Sequence, residues 1–198
     1  MPRAAQDIER IRERELRIVA AAREIAEQEG WPAVTVRRLA DAIGFSQPIL
    51  YRHFPRGRDE IVERVVIDGY ADLLAAISAD GEGLAALVAA YLRFAADHPA
   101  VYYAMTMART GVVFASDETP EILRQGFAMF ERAVGGEMPR ERAVRAELLW
   151  STLHGVSRFA ADGRLDAALD DLREDEIVAL FSAPASGSGS GSGSCPGS

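Results

Sequence analysis

Thr35 and Ser46 each stand immediately before a short run of helix-compatible residues, and only Ile43-Gly44-Phe45 separates the two runs, Val36 to Ala42 and Gln47 to His53. A hydroxyl residue in that place caps the first turn of a helix. A glycine between two helices allows a backbone geometry that β-carbons resist. Two helices joined so tightly make a corner, a helix-turn-helix, and need bracing from outside because neither can persist alone. The brace is upstream, where Ile8, Ile11, Ile18, Val19, Ala22, Ile25 and Ala26 recur mostly at three- and four-residue steps, a helical stripe that stops at Gly30. Leu39, Ala40, Ile43, Phe45 and Leu50 would hold the corner against that stripe. Gln47, Pro48, Tyr51, Arg52 and His53 are then left on the second short helix.

The rest of the chain also reads as helix. Phe54-Pro55-Arg56-Gly57 breaks the chain. Helices are expected from Arg58 toward Ala79, Leu84 to Asp97, Ala100 to Arg109, Pro120 to Gly135, Arg140 to Gly163 and Asp170 to Ser182. No segment alternates with period two, so the expected class is all-α. A three-helix unit with the helix-turn-helix is expected over 1–58, and a larger helical domain over 59–183. Residues 184–198 end in SGSGSGSGSCPGS, an alternation that reads as an engineered Gly/Ser linker with Cys195 as a coupling handle.

Charge sharpens the division. The chain carries a net −8, yet the first 58 residues hold 11 Arg against 8 acids and the remainder 11 Arg against 22. Between Gly30 and Arg58 five Arg face only Asp41. Phosphate responds to that local field rather than to the whole-chain balance. With Cys195 the single cysteine there is no disulfide framework or thiolate metal site. Neither a signal peptide nor a run of 18 uncharged apolar residues is found, which predicts a cytoplasmic protein with no membrane partner. The Arg-rich start from Arg3 to Arg14 either lies along a phosphate backbone or simply lengthens the first helix, since Asp7, Glu9, Glu13 and Glu15 offset its charge.

The stretch from Ala33 to Phe54, AVTVRRLADAIGFSQPILYRHF, together with Arg17-Ile18-Val19-Ala20-Ala21-Ala22 and Gly30, resembles the signature of the TetR/AcrR (tetracycline-repressor) family. The resemblance implies that Gln47 hydrogen-bonds a base edge, where an amide suits adenine, and that Pro48 presses on a thymine methyl. It implies that Arg37 reaches a guanine or a phosphate, and that Thr35, Tyr51 and His53 touch the DNA backbone. Arg52 is directed to phosphate or solvent. Arg58 stands where the family usually has a lysine, at the start of the fourth helix. Pro55-Arg56-Gly57-Arg58 is one residue longer than the commonest family form, which leaves Arg56 and Arg58 as alternatives. Bland readings stand beside these: Tyr51 as a packing aromatic, His53 as a helix-end residue facing the dipole.

Leu149-Trp150-Ser151-Thr152-Leu153-His154-Gly155, with Phe94-Ala95-Ala96-Asp97-His98-Pro99 and Gly163-Arg164-Leu165, resembles the family's sensing domain named for a Trp–His-Gly signature. Trp150 and His154 are four apart and share a helix face. A buried imidazole needs a partner, and either a ligand or a backbone carbonyl would serve. Tyr91, Phe94, Tyr102, Tyr103, Met105, Met107, Phe114, Phe127, Met129 and Phe130, among many alanines, suit a roomy apolar pocket as well as an ordinary core. The expected ligand-binding set is Tyr91, Phe94, Tyr102, Met105, Arg109, Phe127, Phe130, Trp150 and His154, with Arg109 aimed inward or at solvent.

The resemblance implies a homodimer built on the last two helices, binding a palindromic double-stranded DNA operator. The side-chain set adds a bulky hydrophobic small-molecule effector, steroid-like, polycyclic or aromatic, whose binding relieves repression. The alternative is a ligand-independent or activating DNA-binding regulator. No cofactor and no metal ion is expected. No enzyme is expected either: no paired nucleophile, HExxH or phosphate loop occurs, and the three histidines, His53, His98 and His154, lie on separate segments.

Overall fold

The protein is described by a computed structural model that covers residues 3–107 and 116–182. Arg109, Phe114 and the Gly/Ser tail with Cys195 lie outside the described residues, as does the side chain of Met107. Within them the chain forms nine α-helices and two 3-10 turns: α1 (Arg3–Glu29), α2 (Val36–Ile43), α3 (Gln47–His53), α4 (Arg58–Ala79), α5 (Leu84–Asp97), α6 (Pro99–Met107), α7 (Glu121–Val134), α8 (Pro139–Ala161) and α9 (Asp170–Ser182). The short turns, Trp31–Ala33 and Ala167–Leu169, are too brief to show a period in the sequence.

The first three helices pack as the apolar stripe dictates. Ile18, Ala22, Leu39 and Leu50 are 2% exposed or less, and Val34 and Phe54 seal the ends of the wedge they form. Thr35 caps α2 by accepting a hydrogen bond from the Arg38 amide at 3.1 Å. Gly44 ends α2 with φ at 69°, in the left-handed region. Arg17 of α1 then donates to the Ile43 carbonyl at 3.2 Å and lays its guanidinium 4.8 Å from the centre of the Phe45 ring. The corner is thus held by burial beneath and by a cation on the open carbonyls at the end of α2.

Helix α4 leaves this unit and runs into a second layer, where it packs against α5, α6 and α7; α8 packs on α5 and α7, and α9 on α5. At Gly69 α4 and α6 meet so closely that a β-carbon would lie 2.8 Å from Met105 Sδ and 2.8 Å from Val101 Cγ1. A hydrogen there is what lets the two helices touch. One continuous core runs through both layers, from Ile18 to Phe181. Among the described residues no helix is long and apolar enough to cross a membrane.

A β-carbon at Gly44 would meet no heavy atom within 4 Å, so Gly44→Ala pays for the left-handed backbone alone. Chemical denaturation should show a loss of about 1–2 kcal/mol, against about 2–5 kcal/mol for the cavity left by Leu50→Ala.

Candidate nucleic-acid interface and ligand cavity

The two short helices leave a polar face uncovered. Arg37, Gln47, Pro48, Tyr51 and Arg52 are all exposed, and Tyr51 shows 49% of its surface. Among the described residues Arg37, Gln47 and Arg52 have no side-chain partner, whereas the neighbouring Arg38 is held by Glu29 at 2.7 Å. An arginine with no internal partner gives up nothing within the protein when it meets a phosphate. Gln47 is the first residue of α3 and Pro48, which has no N–H, the second, so the amide side chain of Gln47 stands at the exposed start of the helix.

Two of the expected contacts are placed differently. The His53 side chain is only 4% exposed, turned back toward α1 with Nδ1 3.6 Å from Glu15 Oε1. Its Nε2 is buried without a hydrogen bond. Arg58 is half-spent inside the protein. Its Nε donates to the Val34 carbonyl at 2.9 Å and its Nη2 to the Trp31 carbonyl at 3.2 Å. Arg56, the alternative, is paired with Glu63, and its backbone amide donates to Glu60 at 3.0 Å. Thr35 uses its hydroxyl as the α2 cap, although the residue itself is exposed.

The second layer forms a cavity of about 530 Å³ between α4, α5, α6, α7 and α8, bordered on one side by Ser116, Asp117 and Thr119. That volume falls inside the range of about 300–1,000 Å³ usual for small-molecule sites. Tyr91, Tyr102, Met105, Phe127, Phe130 and Trp150 of the expected set line it. Phe94 does not, being packed with its ring 5.0 Å from that of His98. His154 stands outside the lining, behind Tyr102. Tyr70, Leu73 and Leu74 of α4 also line the cavity; they are core positions of an amphipathic helix, and nothing in their spacing sets them apart from ordinary packing. Ser116, Asp117, Thr119, Arg124 and Glu147 supply a polar part of the lining. Arg124 is engaged with the Thr119 carbonyl at 2.6 Å and with Glu121.

A chain of hydrogen bonds runs through the deep wall. The Tyr91 and Tyr102 hydroxyls are 2.9 Å apart, and the Tyr102 hydroxyl is 2.9 Å from His154 Nδ1. Burial pushes the Tyr91 and Tyr102 phenols above the usual tyrosine value, so both keep their protons. Burial, with help from the Arg158 charge, pushes His154 below its ordinary value and favours neutral imidazole. If that imidazole carries its proton on Nε2, Tyr102 donates to Nδ1 and Tyr91 donates to Tyr102. Every phenol proton then has an acceptor. In the opposite order the Tyr91 proton would turn to the Tyr70 hydroxyl or into the cavity, since the Trp150 indole is a donor only. A donor left unpaired in a buried wall costs about 1–3 kcal/mol, which favours the first order.

Two structural links join the cavity to the polar face. The Glu27 carboxylate of α1 accepts from the Ala100 and Val101 amides at 3.0 and 3.2 Å, capping the N-terminus of α6, and the Trp31 indole donates to the Ala100 carbonyl at 2.8 Å. Helix α6 carries Tyr102, Met105 and Thr106 into the cavity. Helix α4 is tied to the same loop by Arg58 and carries Tyr70, Leu73 and Leu74 into the cavity.

A braced helix-turn-helix with an uncovered polar face, joined to a helical domain around a largely apolar cavity, defines a DNA-binding transcription regulator. The profile of the bacterial regulatory proteins of the tetR family matches residues 18–65, and that of the tetracyclin repressor-like C-terminal domain matches residues 84–180. The chain belongs to the TetR family of transcription regulators and is not an enzyme. It is 29% identical over 168 residues to the uncharacterized HTH-type transcriptional regulator Rv0681 of Mycobacterium tuberculosis, covering 81% of this chain and 74% of that one. The crystal structure of the regulatory protein SCO4313 is 26% identical with a TM-score of 0.70, covering 91% of this chain and 98% of the other. A tetR-family regulator from Streptomyces coelicolor shares the fold at a TM-score of 0.65 and 19% identity, covering 86% of this chain and 79% of its own.

Titration of single-base operator variants separates the two kinds of contact on α3. Gln47→Ala should relax the preference at one base position by about 1–3 kcal/mol, while Tyr51→Ala should weaken binding to all sequences alike.

Proposed function

We propose that the chain is a ligand-responsive repressor that binds a palindromic operator as a homodimer in the cytoplasm and is released by a bulky, mostly neutral hydrophobic small molecule, steroid-like, polycyclic or aromatic. The observation that carries the reading is the double linkage between cavity and DNA face. Helices α4 and α6 each line the cavity at one end and are hydrogen-bonded at the other to the segment that braces the helix-turn-helix. A molecule that enters the cavity and parts these helices moves their tied ends as well. By linkage, operator DNA weakens effector binding by the same factor, typically about 5–150-fold.

A single helix-turn-helix reads too few bases for genomic specificity, so a second copy is required. The face for it is on α8 and α9. Val144, Leu148 and Phe159 are 53%, 56% and 48% exposed and fall on one side of α8; Leu169, Leu172 and Leu180 are 49%, 57% and 66% exposed nearby in the chain. Large apolar side chains concentrated on α8 and on the turn and helix that follow it favour pairing. The three tyrosines, Phe127, Phe130, Met105 and Trp150 around the cavity suit fused or aromatic rings and offer no free cation to an anionic ligand at the deep wall.

Selection of bound sequences from random duplexes should return inverted half-sites about 34 Å, one helical turn, apart. Adding a panel of hydrophobic ring compounds should release the selected DNA. Leu148→Glu should leave a folded monomer by sedimentation that no longer retains the operator. Tandem or unpaired half-sites, or operator binding by that monomer, would overturn the dimer reading. Release by polar, charged metabolites alone would overturn the effector reading.

A further inference from the structure

Resting on the effector reading above, we infer that the cavity selects an uncharged ring compound bearing a hydrogen-bond donor, a hydroxyl or an N–H, at the end that enters deepest, and discriminates against the same ring bearing a ketone or a carboxylate. The inference comes from the direction of the buried chain. In the favoured order the Tyr91 proton goes to Tyr102 and the Tyr102 proton to His154 Nδ1, each pair 2.9 Å apart. Both tyrosines line the cavity. With their protons spent, their hydroxyl oxygens have only lone pairs left to offer.

A ligand hydroxyl complements those lone pairs. A ketone places its own lone pairs against them and gains nothing, while losing its hydration. A carboxylate fares worse, because the imidazole at the end of the chain is neutral and the Arg158 that faces it is bonded to Asp162 at 3.2 Å. Tyr70 donates to the Met105 carbonyl at 3.1 Å, so its proton is committed as well. His154 is therefore a specificity-determining residue that acts without touching the ligand: it fixes which way the tyrosine protons point.

The test uses the whole protein and four probes built on one saturated steroid skeleton, carrying a hydroxyl, a ketone, a carboxylate or no polar group. Binding is read directly by calorimetry and by quenching of Trp150 fluorescence. The hydroxyl compound should bind about tenfold tighter than the ketone, one well-made hydrogen bond against none. In His154→Phe the Tyr102 proton is released into the cavity, where a ketone can accept it, so the tenfold preference for the hydroxyl compound should shrink to within about threefold. Tyr102→Phe breaks the chain and should bring the two within about threefold of each other. Equal affinity for hydroxyl and ketone in the wild type, or an undiminished hydroxyl preference in a folded His154→Phe, overturns the inference and leaves the hydrophobic-effector reading standing. Failure of all four probes to bind overturns both.

Discussion

The carboxylate of Glu27 is the contact on which the rest of the molecule depends. It sits near the end of the helix that braces the DNA-reading corner, and it satisfies two amides that open α6 in the other layer. Helix N-termini have no intrahelical acceptor for their first amides, and the partial positive charge there favours an anion. Placing that anion on α1 makes the start of α6 belong structurally to the reader. The Trp31 indole and the Arg58 guanidinium close the same junction from either side, using carbonyls of Ala100, Val34 and Trp31. A regulator built this way has little slack between its two halves.

The cavity is the complement of that stiffness. Protein interiors are packed closely enough that a void of about 530 Å³ is not maintained by accident of side-chain choice. Here it is held open by large side chains that are themselves tied down. Tyr91 and Tyr102 are locked to each other and to His154, and Tyr91 stands edge-on to Phe130 at 5.9 Å. Tyr70 is locked to the α6 backbone. The same hydrogen bonds that hold the walls apart orient the protons at the deep end, so shape and polarity have one origin.

Much of this was legible in the amino-acid order and the rest was not, for identifiable reasons. Caps and stops are local: Thr35, Gly44 and Pro99 mark helix ends within one turn of themselves, Ser46 precedes α3 although its hydroxyl makes no cap bond, and α3 and α9 begin and end where their neighbours imply. The exposed Gln47, Pro48 and Tyr51 follow from a two-sided helix whose other side, Leu50, is buried. The inward turn of His53 toward Glu15 is not local, since the last residue of a seven-residue helix lies at the boundary between both faces. Arg58 at the head of α4 matches the family pattern for a phosphate contact, but its bonds to Val34 and Trp31 depend on where a loop 24 to 27 residues earlier is packed. Glu27 and Ala100 are 73 residues apart, and no periodicity links them. Phe94 and Phe130 are both buried aromatics on long helices, yet only Phe130 lines the cavity. Periodicity reports burial; it does not tell a wall from a core.

Parting α4 from α6 should weaken DNA binding at a distance, even with no effector present. Gly69 is eleven residues, about 16 Å, along α4 from Arg58, at the point where a methyl group would collide with Met105 and Val101. Operator affinity of folded, dimeric Gly69→Ala is the decisive measurement. The coupling described here predicts a loss of about 5–150-fold relative to the wild type, although every residue of the helix-turn-helix is intact. Wild-type affinity in that variant would contradict it.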